Sequence, residues 1–157
     1  MKYIFDQTLD MFLKERNRVT DEQLADISRV HALEGGGWAG HFVDADIITE
    51  NDLVRLIIEA TLVPYLPILN VSFRDELVNE FAIEFLQTFE CIPVDRIGPL
   101  LTIVTPNPFQ PELIRSRTTK INVVELFICR VSEWREVMKR IMDKANDKKK
   151  SQIKKKK

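Results

Sequence analysis

Apolar positions in the first 60 residues recur at helical spacing and are cut by short polar turns. Phe5, Leu9, Phe12 and Leu13 outline a first helix that Asn17-Arg18 interrupts. Thr20-Asp21-Glu22-Gln23 is a capping-box signal, because the Thr20 hydroxyl can accept from an orphan amide while Gln23 reaches back. Leu24, Ile27 and Val30 then supply the buried stripe of a second helix, which should close near Glu34 on a left-handed Gly35. A short third helix is predicted from Trp38 to Ala45, and Thr49 opens a fourth carrying Leu53, Leu56, Ile57 and Ala60.

These helices form a tandem repeat with an offset of 29 residues. Leu9 falls on Trp38, Leu13 on Phe42, Val19 on Ile48, Thr20 on Thr49 and Leu24 on Leu53. After them Pro64 and Pro67 keep the segment 62–70 extended, since each pushes its predecessor out of helical geometry. The pattern then turns mixed. Ser72 can cap a short helix through Val78, and Ala82 to Phe89 forms another. Cys91 to Asp95 and Leu100 to Thr105 read as a hairpin around the four-residue loop Arg96-Ile97-Gly98-Pro99. Pro106 and Pro108 end the second strand, and Pro111 suits the first turn of a helix through Arg117. Ile121 to Arg130 is the best strand pattern, and Ser132 can cap a final helix from Glu133 to Lys144.

The fold class is therefore α+β: an N-terminal helical tandem-repeat subdomain over residues 1–62, followed over 63–143 by a small mixed α/β subdomain with a three-stranded sheet. A chain of 157 residues with 45% apolar content can bury such a core. The formal net charge of −1 hides an asymmetry, because residues 144–157 hold eight lysines and one aspartate. That tail carries +7 and leaves −8 for the rest. Its lysines repel one another and bury nothing, which predicts disorder, with nucleic acid or an anionic membrane face as the surfaces it would attract. Cys91 and Cys129 sit in apolar surroundings and read as buried free thiols of a reducing compartment. No export signal or uncharged membrane-length span is visible, so a soluble cytoplasmic chain is expected.

The run Gly35-Gly36-Gly37 with Gly40 has the glycine spacing of a phosphate loop, but His41-Phe42 stand where Lys and Ser or Thr are required, and a helix rather than a strand precedes it. It reads as punctuation. His31 and His41 lack neighbours at metal spacing and read as boundary residues, and no nucleophile elbow is present. Asp44, Asp46 and Glu50 permit acid/base chemistry only as any exposed carboxylate does. Trp38 and Phe42, at helical spacing, are expected in the core more than on a contact face. The expectation is no catalytic residue, no metal site and no cofactor.

The segment Ile47-Ile48-Thr49-Glu50-Asn51-Asp52-Leu53 is followed by Val63-Pro64-Tyr65-Leu66-Pro67-Ile68, Ile92-Pro93-Val94 and the strand Leu100 to Thr105 ending in Pro106-Asn107-Pro108. In this order they resemble the N-terminal domain of type II secretion and type IV pilus assembly ATPases, over most of residues 5–143. The resemblance implies a docking and regulatory module, here expected to stand alone because no Walker lysine is present. Its implied partner is a cytoplasmic protein component of a secretion, pilus or motility machine; no oligomeric state is implied. Some members of that family bind cyclic di-GMP through repeats of the form R-L-G-x-x-L-x-x-x-G with a glutamine on the following helix. Here Gly37, Ala39, Asp46 and Ala60 occupy the corresponding positions of the second unit, and Thr8, Asp10, Asn17 and His31 those of the first. None matches, so cyclic di-GMP is not expected as a ligand. A receptor with altered contacts is the alternative.

Overall fold

The computed structural model describes residues 7–110 and 123–155. Phe5, the helix expected after Pro111 and the start of the strand expected at Ile121 lie outside them. Four helices come first: α1 (Leu9–Glu15), α2 (Asp21–Glu34), α3 (Trp38–Asp44) and α4 (Glu50–Thr61). The repeat is visible in the backbone itself. Helices α1 and α3 begin 29 residues apart and both span seven residues. Each ends at a non-glycine residue with positive φ, Asn17 at 56° and Asp46 at 57°. The closing hydrogen bonds match as well: Arg18 N donates to Leu13 O as Ile47 N does to Phe42 O. Asn and Asp tolerate the left-handed region best after glycine, so the turn survives without one.

The predicted caps are present. Thr20 Oγ1 accepts from Gln23 N at 3.1 Å while Gln23 Oε1 accepts from Thr20 N at 3.0 Å, and Thr49 Oγ1 accepts from Asp52 N at 3.2 Å. Caps of this kind stabilise a helix by about 1 kcal/mol each. Gly35 does take positive φ, but with ψ at −153° it is not left-handed helical. The stripe on α2 is narrower than expected. Ile27 is buried and Leu24 half-buried, whereas Val30 is exposed and Leu33 is 87% exposed, because α2 rests chiefly on α3 and the body does not extend to its outer end.

Beyond a 3-10 turn at Ile68–Asn70 come α5 (Asp75–Asn79) and α6 (Ile83–Phe89), then β1 (Ile92–Ile97), β2 (Leu100–Thr105), β3 (Val123–Ile128) and α7 (Val131–Lys155). The sheet has the order β1-β2-β3, antiparallel between β1 and β2 and parallel between β2 and β3. Pro93, which has no N–H to give a ladder, sits on edge strand β1 beside a bulge. Four expectations are corrected. Strand β1 runs on to Ile97, so the four-residue loop shrinks to Gly98-Pro99 with Gly98 at φ 58°. Ser72 caps nothing, since α5 starts at Asp75 after Arg74. Ser132 lies inside the first turn of α7 and donates its hydroxyl to Glu50 instead. Finally, α7 does not stop at Lys144 but continues to Lys155, so this part of the lysine tail is helical rather than disordered. No Gly or Pro interrupts 131–155, lysine is a good helix former, and extending a packed helix avoids the cost of nucleation.

One cluster of buried side chains runs from Leu9 in α1 to Met138 in α7. Phe42 is fully buried and Trp38 packs against the cluster. Cys91 and Cys129 are both buried. Among the described residues no helix is long and apolar enough to cross a membrane.

Candidate functional site

The glycine run lies over a buried carboxylate. Glu90 closes α6 in the left-handed region at φ 46°, ψ 52°, and its side chain passes beneath the start of α3. Ala39 N donates to Glu90 Oε1 and Gly40 N to Glu90 Oε2, both at 2.9 Å. These amides belong to the first turn of α3, where no backbone acceptor exists, so Glu90 satisfies two orphan donors at once. Only 2% of Glu90 is exposed. Burial pushes its pKa up, against the opposing pull of the Gly40 and Ala39 amides and of the Arg135 and His41 charges.

Gly37 is what admits this carboxylate. A Cβ at residue 37 would stand 1.9 Å from Glu90 Cγ, so no side chain fits while Glu90 is in place. At Gly40 a Cβ would meet Arg135 Nη2 at 2.9 Å. Punctuation therefore explains Gly35 and Gly36, which have positive φ, while Gly37 and Gly40 serve close approach. Arg135 from α7 forks onto Asp44 at the end of α3, with Nη1 to Oδ1 at 2.9 Å and Nη2 to Oδ2 at 2.7 Å. That guanidinium holds the Asp44 carboxyl below its usual range. An open cleft of about 550 Å³ borders these groups. In the first repeat the equivalent helix start also carries its own acid, as Thr8 Oγ1 donates to the Asp10 carboxylate.

The structure brings His31 and His41 together, which ten residues of separation did not suggest. Their rings meet edge-on at 5.6 Å, and His31 stacks on Trp38 at 4.1 Å. His41 Nε2 lies 2.7 Å from Gly35 O. Burial, with the His41 charge second, pushes the His31 pKa down, and its Nδ1 has no hydrogen-bond partner among the described residues. Among those residues no group of three or more His, Cys, Asp or Glu side chains stands together as metal ligands would. Asp44, Asp46 and Glu50 do not converge: Asp44 is held by Arg135, Asp46 forms the positive-φ turn, and Glu50 accepts from Ser132 N at 3.0 Å and Ser132 Oγ at 2.8 Å.

A second network fastens the connector to α7. Glu133, 6% exposed, accepts from Tyr65 OH at 2.7 Å and from Arg130 N at 2.9 Å, while Arg130 Nε donates to Asn51 Oδ1 at 2.7 Å. Burial and then the Glu133 bond push the Tyr65 phenol up to about 12. The fold thus favours the neutral phenol, a contribution complete below the ordinary 10.0 and lost as pH rises to about 12. An ultraviolet titration read by stopped flow should show a phenolate appearing near pH 12 that Tyr65→Phe removes. A Tyr65 that ionises at its ordinary value would contradict this geometry.

The protein-family model described as the MshEN domain matches residues 62–146, more than half of the chain. The chain belongs to the MshEN domain family. The match begins after both helical repeats, so membership rests on the connector, the sheet and α7. Solved structures extend the likeness to the repeats. The N-terminal domain of XpsE is similar in two crystal forms, each at 20% identity over 82% of this chain, with TM-scores of 0.56 and 0.55 over 89% and 90% of those chains. The structure of MshE with cdg is similar at 15% identity and a TM-score of 0.53, over 83% of this chain and 95% of that one. At such identities the likeness is one of fold. Together with the family match it bears out the resemblance to the N-terminal domains of secretion and pilus ATPases. No curated protein matches the chain significantly.

Glu90 is the site residue that sequence reasoning missed. It lies 50 residues from Gly40, and the one signal for it was a position, Gly37, stripped of the side chain that the resemblance called for.

Proposed function

We propose that this MshEN-family chain is a non-enzymatic regulatory docking domain that engages a cytoplasmic protein component of a secretion, pilus or motility machine. The observation that carries the reading is the Glu90 carboxylate on the α3 amides. Both repeats keep the turn geometry of a tandem unit, yet the start of α3 is occupied by Glu90 and the start of α1 carries Asp10. An anion approaching either turn meets an acidic side chain already in place, and displacing Glu90 would leave two amides unpaired. What the repeats then offer is a rigid, capped helical surface for another protein. A pull-down from native lysate at several salt concentrations should return a specific protein partner; an empty result at every salt would remove the reading.

A second reading, a cyclic di-GMP receptor with altered contacts, is favoured by the fact that MshE was solved with cdg. Calorimetric titration of the chain with cyclic di-GMP, with and without residues 144–157, decides between them. Under the docking reading both forms stay silent. Saturable binding tighter than roughly 10 μM, about −7 kcal/mol, by both would establish the receptor.

A further inference from the structure

We propose that the groove between α5, α6 and the second half of α7 is a docking slot for an acidic amphipathic helix of a protein partner. The proposal rests on the docking reading and names the surface and chemistry through which it would act. The groove encloses about 650 Å³. Its floor is apolar, formed by Phe73, Val78, Phe81 and Ile83 on one wall and by Val137 and Ile141 on the other. Its rim is basic. Arg140, Lys144 and Lys148 follow one another at four-residue spacing along α7, Lys149 lies beside them, and Asp75 is the one acid among the described lining residues.

Charge complementarity selects the occupant. Lys144 already reaches across the mouth of the groove to Asp75 at 3.4 Å, and Arg140 Nε stands 3.6 Å from Glu136 Oε1. Among the described residues no carboxylate pairs with Lys148 or Lys149. From Asn146 onward α7 presents only exposed side chains, over residues 146–154. The cationic stripe is therefore held out along one side of an apolar channel. From Val137 to Gln152 the channel follows α7 for about 22 Å, the length of roughly 15 helical residues. A helix with apolar side chains on one face would fill the floor, and carboxylates flanking that face would meet the rim. A flat anionic surface or a nucleic-acid backbone would answer the lysines but leave the floor open to water.

The test uses the full chain and a fluorescent peptide of about 16 residues with leucines at i, i+3, i+4 and i+7 and glutamates elsewhere, read by anisotropy. Saturable binding is expected, weakening with salt, falling about tenfold or more in Lys144→Glu/Lys148→Glu, and tightening in Asp75→Asn as Lys144 is released. Both variants change exposed residues, and circular dichroism confirms their folding. Equal affinity in all three proteins overturns the proposal. So does retention on phosphatidylserine vesicles or duplex DNA that the peptide cannot compete away. A pull-down partner kept in full by Lys144→Glu/Lys148→Glu would leave the docking reading standing and sink the groove.

Discussion

Replacing Gly37 by alanine should destabilise the fold by about 3 kcal/mol, far more than an ordinary glycine-to-alanine change in extended backbone. The backbone is not the reason, since Gly37 sits at φ −91°, ψ 154°, where any residue is comfortable. The cost comes from the new Cβ, which would overlap Glu90 Cγ and force the carboxylate off the Ala39 and Gly40 amides. Glu90→Ala should cost a similar amount by orphaning the same two donors. In the double variant the Cβ enters vacated space, so the two losses should overlap with a coupling energy of about 2 kcal/mol. Urea denaturation of the four proteins measures this, and additivity within about 0.5 kcal/mol would show that Gly37 does not act through Glu90. The pH dependence gives an independent check. Burial raises the folded pKa of Glu90, so its contribution is complete below the ordinary carboxylate value and is lost as pH rises through the raised one. Glu90→Gln lacks that slope, and the gap between it and the parent protein should narrow as pH increases. Asp44 has the opposite sign, being lost as pH falls through its depressed value, but it is present in both proteins and cancels.

Local structure was legible in this chain wherever a short-range signal existed. Thr20 with Gln23, Thr49 and the apolar run of β2 each name their own conformation, and the prolines do so as far as Pro67, after which the connector expected to stay extended to Asn70 turns 3-10. The 29-residue offset was legible too, and the paired positive-φ turns at Asn17 and Asp46 give it a backbone meaning. Two features were not. The helical state of 144–155 depends on α7 being nucleated by packing upstream at Trp134, Val137 and Met138, which outweighs the charge repulsion that the composition suggests. The site itself depends on Glu90 meeting Gly37 and α3 across about a third of the sequence, and no local pattern encodes such a pairing.

Phe12→Ala should lower stability by about 3–5 kcal/mol and do so for the whole chain at once. Phe12 is fully buried in α1, and its ring stacks on Phe109, beyond the end of β2, at 4.3 Å and 28°. The contact joins the helical repeats to the mixed region, as do Glu90 to α3, Arg135 to Asp44 and Glu50 to Ser132. Residues 1–62 and 63–143 are proposed as subdomains in architecture, but their side chains belong to one buried cluster, so neither should keep its packing when the other is lost. The two tryptophans make this measurable, because Trp38 reports from α3 and Trp134 from α7. In Trp134→Phe and Trp38→Phe backgrounds, each with and without Phe12→Ala, the remaining tryptophan should report the same urea midpoint, and Phe12→Ala should shift both midpoints together. If Phe12→Ala instead moved the Trp38 transition and left that of Trp134 in place, the repeats would unfold as an independent unit, and coupling through the Phe12–Phe109 stack would be refuted.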